Sequence, residues 1–277
     1  MADGPDKARG ARPAATGTKT VRALERGLDV LAAVQARRGV SLHELHGLTR
    51  LSKATLLRLL LTLTVKKLVW QRLADGAYLP YSRAALSAPE ASAGRIAEVA
   101  SPLMKALSER VAWPSVLAAP RLDHIEIIET NSPLFRLDAA TLGPVGVKLS
   151  YIHTATGRAY LAACSDAERD AVIARLRPAD AGDTSEAELR AILAEGRARG
   201  YSVREPVHPW PDRSRQMVLR DGRRSMGVAI LADGAPVAAL NITWPGRLAA
   251  DEQVIARHLS ALQATCRAIG EALSQGG

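Results

Sequence analysis

The chain has 277 residues and a formal net charge of +9, and this charge is unevenly distributed. Residues 1–20 hold four Lys/Arg against two Asp, and residues 21–83 hold eleven Lys/Arg against four Asp/Glu. The remaining residues carry 22 positive and 22 negative side chains. No apolar run approaches the roughly 20 residues that cross a bilayer, which argues against a membrane-spanning helix. An excess of positive charge confined to one end indicates a nucleic-acid-binding module, because a merely soluble surface would not confine it there.

Length and cysteine content suggest the class of protein. The chain is long enough for a small domain followed by one of about 180 residues. Residues 1–20 lack an apolar stretch and predict a disordered basic tail, not a signal peptide. The two cysteines, Cys164 and Cys266, have neither metal-binding nor redox spacing. A reduced protein of the cytoplasm is the simple interpretation.

Two helices are predicted directly after the tail. The first covers about residues 21–37, where apolar residues at helical spacing form one stripe: Val21, Leu24, Leu28, Leu31 and Val34. Ser41 begins the second, short helix over residues 42–48. Glu44 stands three residues after Ser41, and this pair is typical of a capping box that satisfies two backbone donors.

A third helix is predicted from Ser52 to about residue 67, with an apolar face of Leu56, Leu59, Leu60 and Leu63. A short helix, a turn and a longer helix with polar first turns are typical of a helix-turn-helix, whose second helix contacts base edges. Ser52, Lys53 and Thr55 suit phosphate contacts, and Arg58 suits a guanine edge. Ser52 fits capping as well as phosphate binding, and Lys53 also fits a role in solubility.

A β-hairpin is predicted after the third helix. Residues 68–72 and 77–79 are β-prone and flank Asp75-Gly76, a strong hairpin signal. Arg72 is expected to project near a neighbouring groove or phosphate, whereas two aromatic residues are expected to pack within the domain: Trp70 and Tyr78. Residues 21–83 therefore predict a winged helix-turn-helix domain.

The segments ERGLDVL and SLHELHGLTRLSKATLLRLLLTL, together with the hairpin, resemble the DNA-binding domain of the IclR family of bacterial transcriptional regulators. Two positions depart from the family pattern. Arg50 stands in the turn where the family usually has Gly, which predicts local strain if the turn needs a positive φ. Ala54 stands where the family usually has Ser, so one phosphate contact of the family is in doubt.

Residues 84–94 are small and polar and predict a linker, followed by a second domain over residues 95–277. Ser101-Pro102 predicts a helix start, HIEIIE predicts a strand, and Ser165 and Ser185 predict helix caps. SMGVAILADGAPVAALNITW predicts two strands around an Asp-Gly turn, and a closing amphipathic helix follows. This mixed order favours an α+β fold around an antiparallel sheet.

The segment HTATGRAYLAAC, residues 153–164, is the strongest candidate for a binding site in the second domain. A helix start near Gly157 would direct the N–H groups of Ala155 and Thr156 towards an anion. Alternatively, Thr154 and Gly157 only form a tight turn before the helix. No catalytic motif or metal-binding spacing is present, and each histidine is better explained as a surface or packed residue. We therefore expect no catalytic residues, no metal and no cofactor.

The segments TATGRAYLA, RRSMGVAI and AALNITW resemble the effector-binding domain of the same family, which implies a GAF-like α+β fold. In that family a small organic acid binds between a helix start and polar strand residues. The matching positions here are Ala155, Thr156, Ser225, Asn241 and Thr243, and an apolar side is expected from Leu137, Thr141 and Leu142. The family often has Ser at positions 241 and 243, which predicts a pocket of different shape. GRAYLA and NITW are also similar to the subgroup that controls aromatic-acid catabolism.

The overall fold is therefore expected to be mixed α/β, with a winged helix-turn-helix followed by the α+β domain. The function implied is a sequence-specific regulator whose binding to double-stranded operator DNA changes with a small organic acid, which could be aromatic. A homodimer or homotetramer is expected, with no membrane partner. The alternative is a small-molecule-binding enzyme with an appended basic DNA-binding domain, whose weakness is the missing acid/base or nucleophile set.

Overall fold

A computed structural model of the chain describes residues 21–37, 39–81, 89–132, 143–176, 184–205 and 222–275. The helices in chain order are α1 Arg22–Gln35, α2 Leu42–Thr49, α3 Lys53–Val65, α4 Pro89–Arg110, α5 Ala155–Ala163, α6 Asp166–Arg175, α7 Glu186–Arg199 and α8 Asp251–Ser274. The strands are β1 Val69–Gln71, β2 Tyr78–Pro80, β3 Ser115–Pro120, β4 Ile125–Asn131, β5 Lys148–Leu149, β6 Ser202–Val203, β7 Arg223–Ala232 and β8 Ala235–Pro245. Across these ranges, every helix is too short or too polar to span a bilayer.

The N-terminal helices begin where the capping residues predict. Ser41 forms the full capping box with Glu44 at the start of α2, and Ser52 caps α3 by accepting from the Thr55 N–H. The predicted hairpin is present as β1 and β2, paired antiparallel with Trp70 opposite Leu79. One further bridge joins Val40 to Tyr78, so the wing is also paired with the segment before α2.

The apolar core of the N-terminal domain confirms most of the predicted helix faces. It includes residues from all three helices and the hairpin: Val30, Val34, Leu45, Leu56, Leu60, Leu63, Val69 and Tyr78. The first half of the α1 stripe lies outside this core. Val21, Leu24 and Leu28 are 65%, 60% and 54% exposed, so periodicity alone overestimates the buried part of α1.

The prediction of a helix start at Ser101 is wrong, because α4 is continuous from Pro89 and contains Pro102. Pro102 has no N–H to donate, and the Ser101 hydroxyl oxygen lies 2.8 Å from the Ala97 carbonyl oxygen on the preceding turn. Buried residues on both sides of the proline pack in one core and favour a single helix: Ala93, Ala97, Ala100, Met104 and Leu107. The helix begins inside residues 84–94, and the predicted domain boundaries remain a prediction.

The second domain is built on a six-stranded sheet with the order β5-β4-β3-β8-β7-β6. Each pair of neighbouring strands is antiparallel, as the sequence predicts for an α+β fold. The long β7–β8 hairpin turns at Asp233 and Gly234, which have φ angles of 50° and 79°. Those angles suit the Asp-Gly turn predicted from the sequence.

Helices cover both faces of this sheet. Residues of α4 and α8 pack with Met226, Leu240 and Ile242 on one face. Residues of α5, α6 and α7 pack with Val116, Ile127 and Ala239 on the other. Because side chains alternate along a strand, each strand of the β7–β8 hairpin contributes to both layers.

Candidate DNA-binding surface and ligand site

The outward face of α3 carries unpaired positive charge. One side of the helix packs into the core through Leu56, Leu60 and Leu63. Lys53 and Arg58 lie outside this buried side and are exposed. Neither cation has an ion-pair partner among the described residues. Ser52 is exposed beside them, and its hydroxyl lies 2.9 Å from that of the half-buried Thr55. The structure thus brings Ser52, Lys53, Thr55 and Arg58 together on one end of α3.

The turn between α2 and α3 contains the strained residue that the sequence predicts. Arg50 ends α2 in the left-handed conformation, with φ 55° and ψ 17°. An L-residue with a long side chain adopts this region at a cost of about 1 kcal/mol. The Arg50 guanidinium is exposed and adds a positive charge next to the start of α3.

The predicted wing contact, Arg72, is held inside the wing. Its Nε and Nη2 atoms donate to the two carboxylate oxygens of Asp75 at 3.0 and 2.5 Å. Only 17% of the Arg72 side chain is exposed, and a Cβ on Gly39 would lie 3.4 Å from Nη2. These contacts hold the Arg72 guanidinium against the hairpin, and a phosphate contact by this residue remains a prediction.

The polar strand residues predicted for the ligand site share one face of the sheet. Ile242 and Trp244 face α4 and α8, so Asn241 and Thr243 point to the opposite face, towards α5. Ser225 lies opposite Thr243 across the β7–β8 pair, and their hydroxyl oxygens are 2.9 Å apart. All three predicted residues are less than 10% exposed. Leu137, Thr141 and Leu142 lie outside the described residues.

The side-chain amide of Asn241 has N–H donors that can bind a ligand at this face. Its side-chain oxygen accepts from the Val116 N–H at 2.9 Å, which fixes the orientation of the amide. Within the described ranges, nothing accepts from the Nδ2 atom of this side chain. Its two N–H groups therefore suit a ligand with oxygen acceptors.

Helix α5 begins beside these strand residues, two positions earlier than the sequence predicts. Thr154 is the N-cap, and its hydroxyl accepts from the Gly157 N–H at 3.1 Å. Both alternatives left open by the sequence are therefore compatible: Thr154 and Gly157 form a tight turn, and Ala155 and Thr156 occupy the first helical positions. First-turn N–H groups have no carbonyl partner within a helix and favour anionic groups.

Two glycines hold the start of α5 directly against backbone. A Cβ on Gly227 of β7 would lie 2.6 Å from the Ala155 carbonyl oxygen, and a Cβ on Gly157 would lie 2.5 Å from the Ser150 carbonyl oxygen. Real Cβ atoms do not approach backbone that closely, so each position requires glycine. The first turn of α5 is thereby fixed against the sheet face that carries Asn241.

A buried ionic cluster next to this site is not predicted by the sequence. His153, which is 2% exposed, contacts the Glu205 carboxylate through Nδ1, and Arg158 approaches the same carboxylate at 3.4 Å. Arg158 also donates from Nε to the Ile152 carbonyl at 2.5 Å, and burial lowers its pKa. The segment HTATGR carries two of these residues, but Glu205 is distant in sequence.

A second unpredicted feature, Glu129, joins the two domains. This residue of β4 is fully buried, and its carboxylate accepts from the backbone N–H groups of Leu73 and Ala74 in the wing, both at 2.9 Å. It also accepts from the Ser101 hydroxyl of α4 at 2.8 Å and from the Thr130 N–H at 2.9 Å. Burial raises the pKa of Glu129, and the four hydrogen bonds limit that rise.

Comparison with known families agrees with both halves of the fold. Residues 23–72 match the family model of the IclR helix-turn-helix domain. Residues 90–271 match the model described as bacterial transcriptional regulator IclR C-terminal. The chain belongs to the IclR family of bacterial transcriptional regulators. It is thus a DNA-binding regulator with a C-terminal effector-binding domain, as the sequence predicts.

Solved structures of this family have the same fold. A protein from Rhodococcus sp. RHA1, described as a candidate transcriptional regulator, is 26% identical, with a TM-score of 0.55 over 93% of this chain and 100% of its own. The Thermotoga maritima IclR is 19% identical, with a TM-score of 0.53 over 91% of this chain and 99% of its own. An IclR homolog from Microbacterium sp. strain HM58-2 is 20% identical, with a TM-score of 0.51 over 91% and 97% of the two chains.

Proposed function

We propose that this IclR-family regulator recognises its operator through the N-terminal end of α3 and binds a small carboxylate beside the start of α5. The subgroup resemblance favours an aromatic acid. The acid then changes operator affinity by binding two conformations of the protein unequally. The observation that supports the ligand proposal is the close approach of the start of α5 to the sheet face that carries Asn241, Ser225 and Thr243, where Gly227 lies against the backbone of Ala155 and Thr156. The Asn241 amide and the first-turn N–H groups of Ala155 and Thr156 would donate to the carboxylate, as would whichever of the Ser225 and Thr243 hydroxyls accepts from the other.

The charge distribution supports the DNA-binding part of the proposal. Exposed Lys53 and Arg58 lie on α3, Arg50 lies in the preceding turn, and the chain outside residues 1–83 is neutral. We assign phosphate contacts to Ser52, Lys53 and Thr55 and a guanine contact to Arg58. Duplex affinity is expected to fall steeply with added salt, because each neutralised phosphate releases counterions.

Replacing Arg58 with alanine is expected to weaken binding to the specific operator by about 5- to 150-fold, the range for one bidentate base contact. Affinity for a random-sequence duplex should fall much less. Lys53→Ala is the matched control, because loss of a phosphate contact weakens all duplexes similarly and reduces the salt slope by about one. Fluorescence anisotropy at several salt concentrations measures both effects. Unchanged specific affinity in Arg58→Ala would contradict the proposed docking of α3.

Enlarging Thr243 tests the ligand site. Thr243→Ile removes the hydroxyl next to Ser225 and adds volume to a buried site, so the acid concentration for half-maximal response should rise at least about tenfold. Operator affinity without acid should stay the same. Small aliphatic and aromatic acids are screened by their effect on operator binding, and the best one is titrated against each variant.

Thr243→Ser is the control for this experiment, because it keeps the hydroxyl and should retain most of the response. A melting temperature measured for each variant identifies misfolding independently. A full acid response in a stably folded Thr243→Ile variant would exclude the proposed site.

A homo-oligomeric assembly is part of the same proposal. Contiguous exposed apolar patches mark interaction sites. The exposed apolar residues Val21, Leu24 and Leu28 at the start of α1 therefore offer a surface for a second copy of the chain. Two α3 helices in such a dimer would contact a pseudo-palindromic operator. Sedimentation of the free protein distinguishes a dimer from a tetramer.

We infer that the effector domain binds its ligand without chemical turnover. Both cysteines are buried free thiols, and burial raises the pKa of Cys164 to about 12, so little thiolate exists at neutral pH. Metal-assisted hydrolysis needs a cluster of ligands, and the described residues contain no group of three His, Cys, Asp or Glu side chains suited to a metal ion. Recovery of the acid unchanged after prolonged incubation with the protein tests this inference.

A further inference from the structure

The exposed surface of α3 is more apolar than a solvated helix requires. Leu57, Leu61 and Val65 are 49%, 66% and 71% exposed. They follow one another at four-residue spacing and therefore form one stripe along the helix, which we call the α3 stripe. Isolated exposed leucines are common on proteins, but a stripe of three on one helix indicates a contact surface.

The α3 stripe lies beside the residues assigned to DNA. Arg58 and Leu61 are three residues apart, and Lys53 and Leu57 are four apart, so the residues of each pair are neighbours on the helix surface. Positive charge surrounds this end of the helix, with exposed Lys53 on α3 and Arg50 in the preceding turn. An anionic partner with apolar groups fits this mixture better than an apolar protein surface does.

We propose that Leu57 and Leu61 contact the C5-methyl groups of thymines in the operator and select thymine at two positions near the guanine contacted by Arg58. The proposal rests on the docking of α3 in the major groove. Among the base edges in that groove, only thymine presents a methyl group. Along the helix axis, the two leucines are about 6 Å apart, which is far enough for them to contact two different base pairs. Val65 lies a further turn along α3, away from Arg58, and is assigned no base contact.

The test removes a methyl group from the DNA and leaves every hydrogen-bonding group of the base in place. The full-length protein first selects its preferred duplexes from a pool with a random 20-base-pair core. Each thymine in the selected site is then replaced singly by deoxyuridine, and affinity is measured by anisotropy for the wild type, Leu57→Ala, Leu61→Ala and two control variants. The controls are Leu48→Ala, which changes a leucine of α2 with 47% exposure, and Val65→Ala.

The wild type is expected to lose about fourfold in affinity at each contacted thymine, the value of one buried methyl group. Leu57→Ala should abolish this loss at one position and Leu61→Ala at another. Both control variants should keep the wild-type sensitivity. Alanine has the highest helix propensity and the substituted positions are exposed, so the variants are expected to fold normally.

Three results would overturn the proposal in distinguishable ways. If both leucine variants keep the full deoxyuridine penalty while Arg58→Ala loses specific binding, α3 docks as proposed but the leucines do not contact methyl groups. If none of the α3 variants affects binding, the docking of α3 itself is wrong. If a Leu57→Ala, Leu61→Ala double variant changes the sedimentation mass without DNA, the α3 stripe is an interface between copies of the chain.

Discussion

Glu129→Ala is expected to lower the free energy of unfolding by about 3 kcal/mol or more and to release the wing from the second domain. The wild-type carboxylate accepts four hydrogen bonds, two of them from the wing backbone. Alanine leaves buried donors without an acceptor, and each such donor costs about 1–3 kcal/mol. Glu129→Gln should show a smaller loss because it keeps one acceptor oxygen. A loss remains because its NH₂ group faces N–H donors.

Two measurements distinguish release of the wing from general destabilisation. Denaturant unfolding gives the loss of stability, and hydrogen exchange of the Leu73 and Ala74 amides reports on the wing directly. Glu126→Ala is the matched control on the same strand. Glu126 forms a partly exposed ion pair with Arg121, so its loss should cost less than about 1 kcal/mol. Wild-type protection of the two amides in Glu129→Ala would show that the contact does not hold the wing.

Gly227→Ala is expected to destabilise the protein by about 3 kcal/mol and to abolish most of the acid response. The added Cβ would lie 2.6 Å from the Ala155 carbonyl oxygen and 3.1 Å from the Thr156 nitrogen. Both atoms are backbone and cannot rotate away, so the first turn of α5 must move off the sheet. That movement displaces the N–H groups proposed to hold the carboxylate.

Gly94→Ala provides the control within the second domain. Gly94 is an exposed residue of α4, and a Cβ there meets no heavy atom within 4 Å. Alanine at such a helical position should be neutral or stabilise the protein by up to about 1 kcal/mol. Chemical denaturation compares the two variants, and operator binding with and without acid measures the response. Equal stability of Gly227→Ala and the wild type would mean that α5 adapts without strain.

The elements that the sequence predicts well are those determined by local patterns. Ser41 with Glu44 and Ser52 mark helix starts because capping involves residues three positions apart. Asp233-Gly234 marks the β7–β8 turn because an Asp-Gly pair tolerates positive φ at both positions. The strain predicted at Arg50 is likewise a local backbone property, and its φ of 55° agrees with it.

The features that the sequence misses depend on residues distant in the chain. Strand β3 is buried along nearly its whole length, so it lacks the alternation that indicates a half-exposed strand. Ser101-Pro102 is typical of a helix start, and only the packing of residues before and after Pro102 in one core shows that α4 continues through it. Glu129 contacts Leu73 and Ala74, which precede it by 56 and 55 positions in the chain. Glu205 follows His153 by 52 positions. A carboxylate in the sequence gives no sign that it will be buried.

The four hydrogen bonds of Glu129 have a consequence for how the acid and the operator influence one another. The wing belongs to the DNA-binding domain, while β4 belongs to the sheet that carries the proposed ligand site, so this carboxylate is a direct contact between the two. Thermodynamic linkage is reciprocal, and any factor by which the acid changes operator affinity is also the factor by which the operator changes acid affinity. Molecules seated on DNA would then respond to a different concentration of acid than the free pool of the same protein.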